Sequence, residues 1–77
     1  MRKKMLSTKK LEPLLRERGL VLEKSPEGGI SLTPLYIGRK IHEYDADTID
    51  QKIFESLLFA HNLKLKMKNG EPIIEEE

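Results

Sequence analysis

Residues 47–74 read DTIDQKIFESLLFAHNLKLKMKNGEPII. The hydrophobic period changes once within this stretch, and that change sets the fold class. Ile49, Ile53, Phe54, Leu57 and Leu58 recur at helical spacing, which lines one stripe of an amphipathic helix. Thr48 stands at its N-cap with Gln51 at capping-box distance. His61 and Asn62 close it, where a cation and a residue tolerant of left-handed backbone are favoured. Beyond Asn62 the period becomes two: Leu63, Leu65 and Met67 alternate with Lys64, Lys66 and Lys68. Asn69-Gly70 is then a two-residue hairpin turn, and Ile73 and Ile74 lie on the returning strand. Pro72 puts that return on a sheet edge, and Glu75-Glu76-Glu77 reads as a solvated, frayed tail.

Toward the N-terminus, residues 7–18 read as a first helix. Ser7 is its N-cap, Leu11, Leu14, Leu15 and Arg18 share one face, and Gly19 stands at the C′ position. Pro13 removes the hydrogen bond to the Lys9 carbonyl, so the first turn is either kinked or separate from a helix starting at Pro13. Leu20 and Leu22 then alternate with Val21 and Glu23. Pro26-Glu27-Gly28-Gly29 supplies a turn, and Ile30 and Leu32 continue the alternation, with Pro34 at an edge, a bulge or the strand end. Gly38-Arg39 suits a tight turn between Leu35-Tyr36-Ile37 and a third segment carrying Ile41 and Tyr44. The expectation is an α+β fold: helix, three-stranded antiparallel meander, helix, then a C-terminal β-hairpin. Residues 1–6 form a basic arm, residues 7–74 a single α+β domain and residues 75–77 an acidic tail. No internal repeat is visible.

With 77 residues, one small core is the most the chain can build. It has no cysteine, two histidines, two tyrosines and two phenylalanines, so neither disulfides nor a Cys-based zinc site can staple it. Packing must hold it, or a homodimer. The absence of cysteine fits a cytoplasmic protein, no apolar run approaches a membrane span, and Arg2-Lys3-Lys4 is not followed by the apolar stretch of an export signal. The net charge of +1 is unevenly spread: +5 over residues 1–24, −3 over residues 25–62 and −1 over the last fifteen.

The chemistry-bearing clusters favour structural roles. Asp45-Ala46-Asp47 opens like a calcium loop, but Asp50 stands where the turn glycine belongs and Ser56 where the bidentate glutamate belongs. His42, Glu43, Asp45, Asp47 and Asp50 are therefore read as charging and capping the second helix. Neither His42 nor His61 has a nucleophile at a productive spacing, no serine sits in a nucleophile elbow, and Gly28-Gly29 lacks the residues of a phosphate loop. No catalytic residue, cofactor or metal site is assigned, and the chain is expected to be a non-enzymatic binding or regulatory protein. Two partner classes stay open. Arg2, Lys3, Lys4, Lys9, Lys10, Arg16 and Arg18, extended by Lys64, Lys66 and Lys68, could follow the phosphates of a nucleic acid. Glu12 and Glu17 interrupt that row, and lysine on an exposed strand equally protects an edge. Leu63, Leu65, Met67, Ile73 and Ile74 could instead dock the hairpin on a protein partner, as an inhibitor, antitoxin-like or adaptor module or in a homodimer.

The expected order of helix, meander and helix resembles the double-stranded-RNA-binding fold and the ribonuclease toxins that share it. The likeness is carried by Lys10-Leu11-Glu12-Pro13-Leu14-Leu15 running into Gly19-Leu20-Val21-Leu22. Those toxins place a catalytic histidine on the second strand. Residues 29–37 contain none, so the resemblance implies no ribonuclease activity.

Overall fold

A computed structural model describes residues 4–35, 38 and 40–77. Its elements, in chain order, are β1 (Met5–Ser7), α1 (Thr8–Glu17), β2 (Leu20–Lys24), β3 (Ile30–Pro34), β4 (Thr48–Asp50), α2 (Gln51–Phe59), β5 (Leu63–Lys68) and β6 (Glu71–Glu76). The class is α+β, as expected, but the strands form three two-stranded antiparallel sheets, β1–β4, β2–β3 and β5–β6.

The three-stranded meander does not form. β3 ends at Pro34, which cannot donate to a ladder, and the chain returns to the far side of β2 and not to β3. There Lys24 N donates to His42 O (2.9 Å) and Tyr44 N to Leu22 O (3.1 Å), around a single bridge between Glu23 and Glu43. Gly38 has φ +85°, whereas Tyr36, Ile37 and Arg39 of the expected turn lie outside the described residues. The likeness to the double-stranded-RNA-binding fold therefore loses its sheet.

The chain is a repeat, contrary to the sequence reading. The same shift that carries Leu6 onto Ile49 carries Ser7 onto Asp50, Leu11 onto Phe54, Leu15 onto Leu58, Gly19 onto Asn62, Leu20 onto Leu63 and Leu22 onto Leu65. One position less carries Leu32 onto Ile74. Each half is a strand, a helix and a hairpin, and the halves are related as the subunits of an isologous dimer would be. In the β1–β4 pair Leu6 faces its own equivalent Ile49, Met5 faces Asp50 and Ser7 faces Thr48. The hydrogen bonds repeat as well. Thr8 N donates to Asp47 O (3.0 Å) and Gln51 N to Lys4 O (2.9 Å). Leu35 N donates to Gly19 O (2.8 Å) and Glu77 N to Asn62 O (2.9 Å). Arg18 Nη2 donates to Ile74 O (3.0 Å), and its equivalent His61 donates through Nε2 to Leu32 O (2.6 Å), so each helix end clasps the other half's hairpin.

The core follows from this symmetry. Leu6, Leu11, Leu15, Leu20, Leu22 and Leu32 meet Ile49, Phe54, Leu58, Leu63 and Ile74 in one cluster. α1 packs on β6 as well as β2, and α2 on β3 as well as β5. Two halves sharing a core supply the burial that either alone would lack.

Several boundaries move. Met5 and Leu6 are strand residues, not the end of a basic arm, and Leu6 is buried. Glu75 and Glu76 belong to β6, not to a frayed tail. Thr48 caps nothing, because Thr48–Asp50 is strand β4 and Ile49 is a core residue of that strand. Asp50 is the α2 N-cap, its Oδ1 accepting from Lys52 N (2.9 Å) and Ile53 N (3.2 Å). Ser7 holds the same place before α1 but makes no side-chain cap bond. α1 runs unbroken through Pro13, whose position in α2 is taken by Ser56, with Oγ donating to Lys52 O (3.0 Å). Gly19 (φ +69°) and Asn62 (φ 59°) end the two helices in the left-handed region, as their residue types suggest. The Asn69-Gly70 turn forms with both residues at positive φ, the geometry of a type I′ hairpin.

Candidate functional site

The basic residues of α1 are mostly matched by acids of the same chain. Lys10 Nζ lies 3.5 Å from Glu71 Oε1, and Arg16 Nη2 lies 3.2 Å from Glu43 Oε1. Arg18 is held by Ile74 O, with Glu76 Oε1 at 4.0 Å. Lys66 Nζ lies 3.9 Å from Glu75 Oε2. Lys4, Lys9, Lys64 and Lys68 make no ion pair among the described residues, while Arg2 and Lys3 lie outside them. The row of cations drawn along the sequence is thus divided in space into self-neutralised pairs and a few separate lysines.

Three of the acids around β4 are also engaged. Glu43 pairs with Arg16, Asp45 with Lys24 at 3.1 Å, and Asp50 caps α2. The hydrogen bond and charge of Lys24 hold the Asp45 carboxyl below its ordinary pKa. Among the described residues no group of three His, Asp or Glu side chains is placed to hold a metal ion. His61 is engaged with Leu32 O, and His42 is exposed. Glu23 is buried and accepts a hydrogen bond from the Thr33 hydroxyl, a role the two-residue alternation of β2 did not suggest.

The hairpin residues read as partner-binding divide by face. Leu63, Leu65 and Met67 share one face with Ile74 and Pro72, and Lys64, Lys66 and Lys68 share the other with Glu75, Ile73 and Glu71. Leu63 and Ile74 are buried in the chain's own core, and Leu65 packs on it; Ile73 is half-buried, and Met67 is 41% exposed.

The outer edge of β5 is the feature that sequence reasoning missed. Pro72 has no N–H, and it sits opposite Met67, as Ile74, whose carbonyl turns away to Arg18, sits opposite Leu65. Leu65 and Met67 are therefore at positions whose backbone N–H and C=O point away from β6. No strand meets them among the described residues. The equivalent edge of β2 is the one covered by residues 42–44. Tyr44 there packs on the core, in a cleft with Leu15, Arg16, Leu20 and Leu22. On the α2 side of the second half, Phe59 replaces Arg16 and is 69% exposed, at the rim of a shallow depression with Lys52, Glu55 and Ser56. Phe59 was visible in the sequence only as an apolar residue just outside the buried stripe.

No helix among the described residues is long and apolar enough to cross a membrane. No protein-family model, curated protein or solved structure matches the chain.

Proposed function

We propose that the chain is a non-catalytic protein-binding module that recognises its partner through the α2–β5 side of its second half. The observation that carries this reading is Phe59, an aromatic side chain 69% exposed on the half whose strand edge is unpaired. Exposed aromatics of this kind anchor protein interfaces, because they bury a large area at little entropic cost. The nucleic-acid reading is the weaker of the two, since Lys10, Arg16 and Arg18 already have partners within the chain.

Affinity capture from the native cell, run in parallel with wild type and Phe59→Arg, tests the proposal. Arginine is the residue the first half carries at this place, so the fold should tolerate it. A discrete protein retained by wild type and lost by the variant is the expected result. Retention of nucleic acid alone, equal for both proteins and falling steeply as salt rises, would overturn it in favour of the basic surface.

A further inference from the structure

We infer that the outer edge of β5 is a docking site for an extended acidic peptide segment of a partner protein, which adds to the hairpin as an antiparallel strand. This rests on the protein-binding reading and specifies its geometry and its chemistry. The template is inside the molecule. On β2, the equivalent strand, residues 42–44 occupy this edge through Lys24 N to His42 O and Tyr44 N to Leu22 O. Placed on β5 by the relation between the halves, those bonds fall on Met67 N and Leu65 O, both of which point outward and lack a partner among the described residues.

The register then specifies what the strand must carry. Tyr44 stands beside Leu22, so an aromatic or large apolar residue stands beside Leu65, next to Leu63 and the exposed Phe59. Glu43 faces Glu23 across β2, a pairing of like charges; at the same place on β5 the residue is Lys66, whose 3.9 Å approach to Glu75 leaves its side chain 62% exposed and open to a second acid. Asp45 would likewise stand opposite Lys64, which replaces Val21. Residues flanking the aromatic position therefore meet lysines on both sides, and a further lysine, Lys68, follows. Directly opposed charges of opposite sign favour pairing and like charges oppose it. The preferred occupant alternates acid, aromatic, acid.

The same charges argue against a second copy of this chain. Antiparallel pairing of two β5 edges would set Lys64, Lys66 and Lys68 against the same three lysines. Augmentation by a foreign strand draws its affinity from main-chain bonds and its specificity from alternate side chains, as this edge provides.

The probe is a blocked synthetic peptide reproducing residues 41–46, Ile-His-Glu-Tyr-Asp-Ala, titrated into the full isotope-labelled chain and followed by amide NMR. The expected result is saturable shifts centred on Lys64 to Lys68 and Phe59, with slowed exchange of the Met67 amide. A peptide with lysine in place of both acids should bind at least tenfold more weakly. Met67→Pro deletes the outward N–H while leaving the bonds between β5 and β6, and should abolish the shifts with the rest of the spectrum intact. If that variant fails to fold, Lys64→Glu with Lys68→Glu, both on the exposed face, should weaken binding at least tenfold. No saturable shift with the acidic peptide, shifts centred on α1, or equal response to both peptides would overturn the edge site. Loss of the edge site with Phe59-dependent capture retained would leave the protein-binding reading standing; loss of capture alone would remove that reading and not the edge.

Discussion

The two halves of this chain share a plan and differ at their edges. In the first, β2 is flanked on both sides, by β3 and by residues 42–44, and the covering segment is tied down by Arg16–Glu43 and Lys24–Asp45. In the second, β5 has β6 on one side and nothing on the other among the described residues, and Phe59 and Met67 occupy the places of Arg16 and Lys24. The core positions have stayed equivalent while the surface positions have diverged. Shared burial therefore accounts for the fold, and the departures from symmetry mark where the halves do different work.

The equivalence of the cores is the part most easily broken. Leu11 and Phe54 occupy matched positions, and both are fully buried. Leu11→Ala should cost roughly 2–5 kcal/mol and Phe54→Ala roughly 3–5 kcal/mol, from lost transfer energy and the cavity left behind. Because α1 packs on β6 and α2 on β3, either change should lower amide protection in both halves together, with one denaturation transition by every probe. Protection lost in one half alone would show that the halves are separate units joined by a linker.

A large part of the fold was legible, and what escaped has physical reasons. Phe54, Leu57 and Leu58 of the α2 stripe, the β2–β3 hairpin and the Asn69-Gly70 turn follow from local periodicity and turn chemistry, which need no knowledge of the partner element, whereas Ile53, placed on the same stripe, is 46% exposed. β1 and β4 have three residues each, too few to display a period, and Ile49 fitted the helical spacing equally well. The meander does not form because adjacency in sequence is not adjacency in the sheet: the chain passes from β3 to the far edge of β2. The repeat escaped because its conserved element is leucine, common in any core, while Gly19 matches Asn62 and Ser7 matches Asp50 by backbone role and not by identity. The cation row looked continuous because sequence does not show which acids fold back on it. Phe59 could have been singled out as an apolar residue off the buried stripe, but its exposure and its equivalence to Arg16, which lies beside the strip covering β2, come only from the structure.

A second test compares the helix starts. Asp50 satisfies two N–H groups of α2, and Ser7 satisfies none of α1 with its side chain. Asp50→Ala should therefore cost about 1 kcal/mol, within the range for loss of an N-cap, and Ser7→Ala only a few tenths. Denaturant midpoints at constant slope are the measurement. Equal costs would mean that Ser7 acts through β1 and that the helix starts are more alike than their hydrogen bonds suggest.

The smallest effect concerns the strip that covers β2. Lys24 lowers the pKa of Asp45 by hydrogen bonding and charge, so the folded protein holds the carboxylate more tightly than the unfolded chain does. The folded pKa lies below the unfolded one. The resulting stabilisation is complete above the unfolded value, about 3.9 for aspartate, and disappears as pH falls through the folded value. Both side chains are exposed, so the effect is small and weakened by salt. Asp45→Asn should lower the thermal midpoint slightly at neutral pH and low salt, and the difference should shrink as pH falls below the ordinary aspartate range and as salt is raised. It should be accompanied by faster exchange of the Lys24 amide, which the strip protects through His42 O. A midpoint difference independent of pH would mean that Asp45 holds the strip through its shape and not its charge. The contrast between a covered β2 and an open β5 would then rest on Tyr44 and the two backbone bonds.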